Sequence, residues 1–286
     1  MLSPRNLAEC RFYRERMGAD AKPIPWGLAE LEAFAAIDPG DPFAGRVRLG
    51  LVPKFSLQLE VTADPPIWIG LDPPELDRWA GVVERMWKRW GTVPGESIAF
   101  FDYGSSPLVL LASSGYVGYL RRGAAERLGF TAICNDGVAA MAGRMVSIVE
   151  AFEPSMLVVR RDLAAPFSLA LEAAGANLAD RVRWVAISEV EGCTSRREAD
   201  QLSARLGVAV RRILRCDAAF LIAGECTGCR AFHLDRAYFA EALSSGHVAI
   251  TARFAQACPA VRFDIGLARL INGGCSLEPR AQRVEC

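Results

Sequence analysis

The sequence predicts an α/β protein: a parallel sheet covered by helices on both faces, with a smaller β-rich lobe near the C-terminus. Three observations carry this reading. Short, continuously apolar runs recur at residues 97–101, 130–134, 156–159, 182–187 and 208–214. Segments with apolar residues at helical spacing separate them, at 137–152, 165–173 and 195–206. A strand that is apolar throughout must be buried on both faces, and helices alternating with such strands supply the cover. After residue 215 the helical periodicity stops, and strand-like pieces at 248–251 and 260–263 take over. The reading is therefore an α/β lobe over 1–215 and a smaller β-rich lobe over 216–286.

Before the first of those strands the chain reads as follows. Residues 7–17 have helical character, and turns follow around Pro23, Pro25 and the stretch 38–42. Apolar β-type runs lie at 47–52, 57–61 and 67–71. Residues 73–90 place Leu76, Trp79, Val82, Val83, Met86, Trp87 and Trp90 at helical spacing. Proline in the first turn and Gly91 past the end punctuate that helix. Residues 107–128 read as one further helix ending at Gly129.

Composition excludes several classes. The chain has 286 residues, 51% of them hydrophobic, which is ample for a large core and excludes a disordered chain. Lys plus Arg and Asp plus Glu number 33 each, so no net field draws it to nucleic acid or an anionic membrane. The longest apolar run, 108–120, is too short to span a bilayer, and no secretory signal is read at the N-terminus. A cytoplasmic protein is expected, without a membrane or nucleic-acid partner. Nine cysteines, an odd number, argue against a disulfide framework in that compartment.

Several stretches, in order along the chain, resemble the phenylacetate-CoA ligase branch of the adenylate-forming enzymes. Residues 11–16 (Arg-Phe-Tyr-Arg-Glu-Arg) are similar to the family's opening "FYRERL" helix, and 94–104 to "PGD…YGYG". Residues 123–129 are similar to "GAERLGA", and Glu225-Cys226 followed by His233 to "EC…GLHI". Residues 246–251 and 259–263 are similar to "GELVVT" and "PLIRY". The resemblance spans nearly the whole chain. It implies the N-terminal domain of an adenylate-forming enzyme, an aromatic or acyl acid as ligand, and a homodimer.

The departures from that pattern concern ATP. The family holds ATP phosphates in a Ser/Thr/Gly-rich loop ending in lysine, because glycine lets backbone amides approach phosphate and the lysine supplies charge. Residues 62–68 stand at that place and read Thr-Ala-Asp-Pro-Pro-Ile-Trp, without glycine or lysine. Two prolines remove amide donors there. The glutamate of "YGxSE", which serves the metal ion, is matched by Cys216, beside Asp217. The ribose-binding aspartate of "YRTGD" has no counterpart in 263–267, and the resemblance places the family's lysine-bearing C-terminal domain beyond Cys286. ATP and Mg²⁺ are therefore not expected as cofactors, and coenzyme A is left open.

The remaining chemistry centres on two groups. Tyr103, Ser105, Ser106 and Tyr116 are the candidate substrate-binding residues, since small-molecule pockets are mostly apolar with a few placed hydroxyls. The "SSGxxG" run from Ser113 resembles a phosphate loop but falls inside an apolar helix, where close packing is the better reading. Candidate acid–base groups are Asp102, Tyr103, Glu189, Glu191 and Asp217, with Glu189 and Glu191 just past a strand end where parallel sheets bind ligands. The second group is Cys226, Cys229, His233 and Cys275. Thiolates and imidazole at this spacing suit a closed structural zinc site, with Leu277 replacing the last cysteine of the pattern in some relatives. The alternative leaves the thiols free and bonds His233 to a carboxylate such as Asp235. His247 reads as a strand-start residue outside catalysis.

Three functions fit these readings. The first is a repurposed enzyme of specialised metabolism that acts on an aromatic or acyl acid, or its activated thioester, without ordinary adenylation. The second is an ATP-dependent aryl- or acyl-CoA ligase completed by a partner. The third is a non-catalytic subunit of an intact ligase.

Overall fold

A computed structural model describes residues 4–19, 22–60, 64–113, 122–266 and 268–286. The helical stretch near the N-terminus divides into α1 (Pro4–Ala8) and α2 (Arg11–Arg14), because Cys10 between them is extended. Helix α3 (Leu28–Ile37) follows. Phe12 packs edge-to-face on Trp26 and Phe34, and Trp26 Nε1 donates to the Val261 carbonyl at 2.7 Å. The N-terminus is thereby fastened to the C-terminal lobe.

Residues 47–52 form no strand, contrary to the sequence expectation. Gly50 takes the left-handed conformation (φ 75°) and Leu49 is 85% exposed, so the apolar run has neither a ladder nor a buried face. Strands β1 (Phe55–Gln58) and β2 (Trp68–Leu71) do form, as an antiparallel pair. Helix α4 (Pro73–Arg89) matches its predicted span and buries Leu76, Trp79, Val82, Val83, Met86 and Trp87. Glu75 works at both ends of its carboxylate. Its Oε2 accepts from the Asp72 amide at 2.6 Å, and its Oε1 accepts from the amides of Gln256 and Ala257. One side chain therefore caps the helix and ties it to the C-terminal lobe.

The central sheet is built from β3 (Ser97–Asp102), β4 (Thr131–Asp136), β5 (Met156–Arg160), β6 (Trp184–Ser188), β7 (Ala209–Cys216) and β8 (Leu221–Gly224). Its spatial order is β4-β3-β5-β6-β7-β8, with every pair parallel except the last. One face packs on α4 and on α5 (Pro107–Ala112) and α6 (Ala124–Arg127). The other packs on α7 (Ala142–Phe152), α8 (Arg161–Ala174) and α9 (Arg196–Leu206). The doubly covered parallel sheet expected from the apolar runs is thus present.

Two helices differ from their sequence reading. The helix expected over 107–128 ends at Ala112, since Ser113 is extended (φ −93°, ψ 136°), and α6 is a separate turn. A Cβ on Gly123 would meet the Ser113 carbonyl carbon at 2.5 Å, so only glycine lets the returning chain pass there. Tyr116 and the rest of the 114–121 stretch lie outside the described residues. Helix α8 begins at Arg161 rather than 165, so Pro166 lies inside it, where it removes the amide that would bond the Asp162 carbonyl.

Past β7 no α-helix occurs among the described residues. A turn at 217–219 leads into β8, antiparallel to β7. Two small antiparallel sheets follow. One holds β9 (Phe232–His233) with β13 (Arg269–Ile271) and β14 (Arg283–Glu285), and the other β10 (Tyr238–Ala242), β11 (Val248–Ala252) and β12 (Phe263–Asp264). Leu7, Trp79, Phe220, Phe254 and Val284 belong to a single buried cluster, so these sheets share a core with the central one. Among the described residues no helix is long and apolar enough to cross a membrane.

Gly137, just past β4, holds the strand ends together. A Cβ there would lie 2.8 Å from both the N and Cα of Asp102 and 2.6 Å from Leu163 Cδ1. Gly137→Ala is expected to destabilise by about 1–3 kcal/mol, the usual range for overpacking, measured by urea unfolding. An unchanged midpoint would show that this contact gives way freely.

Candidate functional site

The carboxyl ends of the parallel strands carry a buried ionic layer. Asp102, Arg160 and Ser188 end β3, β5 and β6, and Arg215 with Asp217 stand at the end of β7. Residues two apart along a strand share a face. Phe100, Val158 and Ala186 pack toward α4, so Asp102, Arg160 and Ser188 point to that same side.

Arg215 is the centre of this layer and is completely buried. Its Nε and Nη2 donate to the two Asp217 carboxylate oxygens at 2.7 and 2.6 Å, a bidentate pair. Its Nη1 reaches Asp102 Oδ2 at 3.3 Å, and Glu60 Oε1 lies 3.6 Å from Nη2. Burial is the largest single influence on Arg215 and opposes its charge, but the carboxylates of Asp217, Asp102 and Glu60 together outweigh it and the guanidinium stays protonated. Asp102 also accepts from the Ser106 hydroxyl at 2.9 Å and the Tyr103 amide at 2.7 Å. Burial pushes both Asp102 and Glu60 above the usual carboxylate range, with Arg215 pulling the other way. Around Arg215 there are thus three carboxylates, with Arg160 as the next cation, 3.9 Å from Glu60.

The other sequence-predicted residues divide clearly. The Tyr103 ring lies under the Arg160 guanidinium at 3.7 Å and is 39% exposed, so it faces solvent at the rim. Ser106 is fully buried and spent on Asp102, whereas Ser105 is exposed. Glu189 stands aside from the layer, paired with Arg161 at 2.6 Å. Arg215, Arg160, Glu60 and the buried Ser188, whose hydroxyl has no partner among the described residues, were not singled out from the sequence. An arginine inside the apolar run of β7 was the available signal, since a buried cation requires carboxylates around it.

Beside this layer lies a cavity of about 220 Å³. It is bounded by the turn at Glu191 and Gly192, by Leu214 to Cys216 on β7, and by the stretch from Phe263 to Gly266. Gly192 and Arg215 exchange two backbone hydrogen bonds, at 2.7 and 3.0 Å, which lash the turn to β7. Glu191 adopts a left-handed backbone (φ 52°) that turns its carboxylate inward. Oε1 accepts from the amides of Asp217 (2.8 Å) and Ala218 (3.1 Å), and the Cys216 thiol donates to Oε2 at 2.7 Å. Burial, and then the neighbouring Asp217 charge, push Glu191 up to about 7. Burial and the Glu191 charge likewise hold the Cys216 thiol well above its ordinary value.

The four candidate metal ligands converge in the C-terminal region. The sulfur atoms of Cys226, Cys229 and Cys275 and a ring nitrogen of His233 all lie within 4.8 Å of one another. Cys229 Sγ is 3.2 Å from His233 Nε2, and Cys226 Sγ is 3.8 Å from Cys275 Sγ. His233 Nδ1 is bonded to Glu278 at 2.7 Å, whereas Asp235 is engaged by Arg85. The carboxylate partner of His233 is therefore Glu278 and not Asp235. That bond leaves Nε2 aimed at the three sulfurs, as a metal-ligating imidazole requires. The Leu277 amide is the largest of the influences that lower the Cys275 thiol to about 6, favouring a thiolate. Leu277 itself is exposed and takes no part in the cluster. Glutamate 225, next to Cys226, is buried and pairs with the fully buried Arg212 at 3.2 Å and with Arg230 at 2.9 Å. His247 sits immediately before β11, half-exposed, against Asp264 at 3.1 Å.

This architecture is the N-terminal-domain fold of adenylate-forming enzymes. It superposes on 2-hydroxyisobutyryl-CoA ligase in complex with its acyl-adenylate and CoA at a TM-score of 0.77, with 15% identity over 98% of this chain and 64% of that one. An open conformation of that ligase gives a TM-score of 0.75 at 16% identity, over 98% and 70% of the two chains. An anthranilate-CoA ligase in complex with anthranoyl-AMP matches at a TM-score of 0.53 and 12% identity, over 70% of this chain and 39% of its own. The chain thus spans 63–70% of the length of the 2-hydroxyisobutyryl-CoA ligase structures. No protein-family model matches the sequence, and no curated protein matches it.

Proposed function

We propose that this protein acts on a small aromatic or acyl acid in activated form, without ordinary ATP-dependent adenylation, on a scaffold shared with acyl- and aryl-CoA ligases. The observation that carries this reading is the crowding of Glu60, Asp102 and Asp217 around Arg215 at the strand ends. Incoming phosphates would meet three carboxylates, and the central cation is already neutralised by a bidentate partner. Residues 61–63 lie outside the described part of the loop, but Asp64, Pro65 and Pro66 add neither cation nor amide donors from the two prolines. The neighbouring cavity has apolar walls in Leu28, Leu214, Phe263 and Ile265, suited to an acyl or aryl group. The ligands bound in the structural neighbours, acyl- and anthranoyl-adenylates and CoA, support a small acid or its thioester as the substrate class.

The Cys226, Cys229, His233 and Cys275 cluster is proposed to hold a structural zinc ion. Four protein ligands close the coordination sphere and leave no open position for chemistry.

Isothermal titration calorimetry tests the functional reading. Heat is expected from benzoyl-CoA or a related thioester, and none from ATP·Mg²⁺. Micromolar ATP binding would overturn the reading and return the protein to ATP-dependent ligation. Silence with every acid and thioester would instead indicate a subunit that supports another enzyme.

A further inference from the structure

We propose that Cys216 is the acyl acceptor of a thioester exchange, with Glu191 as the base that takes its proton. This inference rests on the reading above and gives that site its chemistry. Cys216 and Glu191 both line the 220 Å³ cavity, whose opposite wall is apolar. The thiol hydrogen points at Glu191 Oε2, and the second oxygen is pinned by two backbone amides. Nucleophile, base and fixed orienting groups therefore stand in sequence, which is the arrangement that activates a thiol whose own pKa is ordinary or raised. A purely structural thiol would be satisfied by apolar neighbours. Burying a carboxylate beside it costs stability, and such costs concentrate at working sites.

The step balances without ATP. Cys216 Sγ attacks the carbonyl carbon of an acyl thioester while Glu191 accepts the thiol proton. The new sulfur–carbon bond forms, the bond from the carbonyl to the departing sulfur breaks, and Glu191 returns the proton to the leaving thiolate. One thioester replaces another, so no oxidant, reductant or phosphoanhydride is required. The cavity is below the 300–1,000 Å³ range of drug-sized sites, which points to a small aryl or short acyl group, with the carrier part of the thioester outside.

The charged and titratable groups around Glu191 are Asp217, Arg215 and Cys216 on one side. Asp264 and Cys286 line the cavity across from it. Because the carboxyl is raised to about 7, acylation is expected to rise with pH through that region as Glu191 ionises.

The test uses benzoyl-CoA with the whole chain, intact-mass and peptide mass spectrometry, and a colour assay for released CoA thiol. The wild-type protein is expected to gain one benzoyl group on the peptide holding Cys216, with stoichiometric thiol release. Cys216→Ala should gain none. Glu191→Gln should acylate slower by on the order of 10²-fold and lose the rise through pH 7. Circular dichroism and urea midpoints of Cys216→Ser and Cys216→Ala establish that both variants fold. Acylation that persists in folded Cys216→Ala would overturn the proposal. Calorimetric binding of benzoyl-CoA with no acyl-protein would also overturn it, while leaving the proposed substrate class standing. No binding of any acid or thioester would sink both.

Discussion

Arg215→Met is expected to destabilise the protein by about 3–5 kcal/mol, measured by urea unfolding at pH 7.5. Arg215 is fully buried and is the cation shared by Asp217, Asp102 and Glu60. Methionine fills similar apolar volume, so the loss is one of charge compensation rather than of packing. Removing one partner of a buried ionic cluster strands the others in a medium that disfavours their charge. The pH dependence gives this prediction its signature. Burial already raises Asp102 and Glu60, and without Arg215 they rise further. A carboxyl raised in the folded state stabilises only while protonated, at pH below its unfolded value, and that contribution is lost as pH rises through the folded value. The deficit of Arg215→Met should therefore grow as pH rises above the usual carboxylate range and shrink as pH falls back into it. A deficit independent of pH would show that the layer is held by packing instead.

Chelation at the Cys226, Cys229, His233 and Cys275 cluster is expected to have the second large effect. Metal analysis of protein purified without chelator should show stoichiometric zinc. Relative to free zinc held at about a thousand times the dissociation constant, stripping should cost about 4 kcal/mol. For a chain of 286 residues the unfolding midpoint should then fall by roughly 6–8 °C. Cys229→Ser should lose zinc and reproduce that fall, because it removes the sulfur 3.2 Å from His233 Nε2. Glu278→Gln should weaken zinc by roughly 10- to 100-fold without abolishing it, since Glu278 only orients the imidazole. Protein free of zinc, with a midpoint indifferent to chelator, would leave four buried or half-buried groups without a metal and overturn the assignment.

Much of the scaffold was legible because its signals are local. The runs at 97–101, 156–159 and 182–187 can bury both faces only inside a covered sheet, and they became β3, β5 and β6. Helix α4 carried its own spacing, its proline start and its glycine stop. The run at 47–52 misled for the same reason. It has strand composition, but a strand needs a partner, and Gly50 turns the chain away from one. Strands β8, β9, β10, β13 and β14 went unread because they are short and paired at long range, and their composition alone carries no periodicity.

The sequence by itself determined the alternation of strands and helices and the Cys226, Cys229, His233 and Cys275 set, whose spacing is itself a chemical pattern. The tertiary structure alone decided which charges meet. Asp102, Arg160 and Arg215 come from three strands whose carboxyl ends the parallel order of the sheet brings together, and Glu60 reaches them from the loop after β1. It likewise decided that Glu191 faces the Cys216 thiol, and that Glu278 rather than Asp235 holds His233. Composition records how many charges a chain has. Their pairing depends on distances of a few ångströms between residues far apart in sequence, and those distances are set by the packing of the whole core.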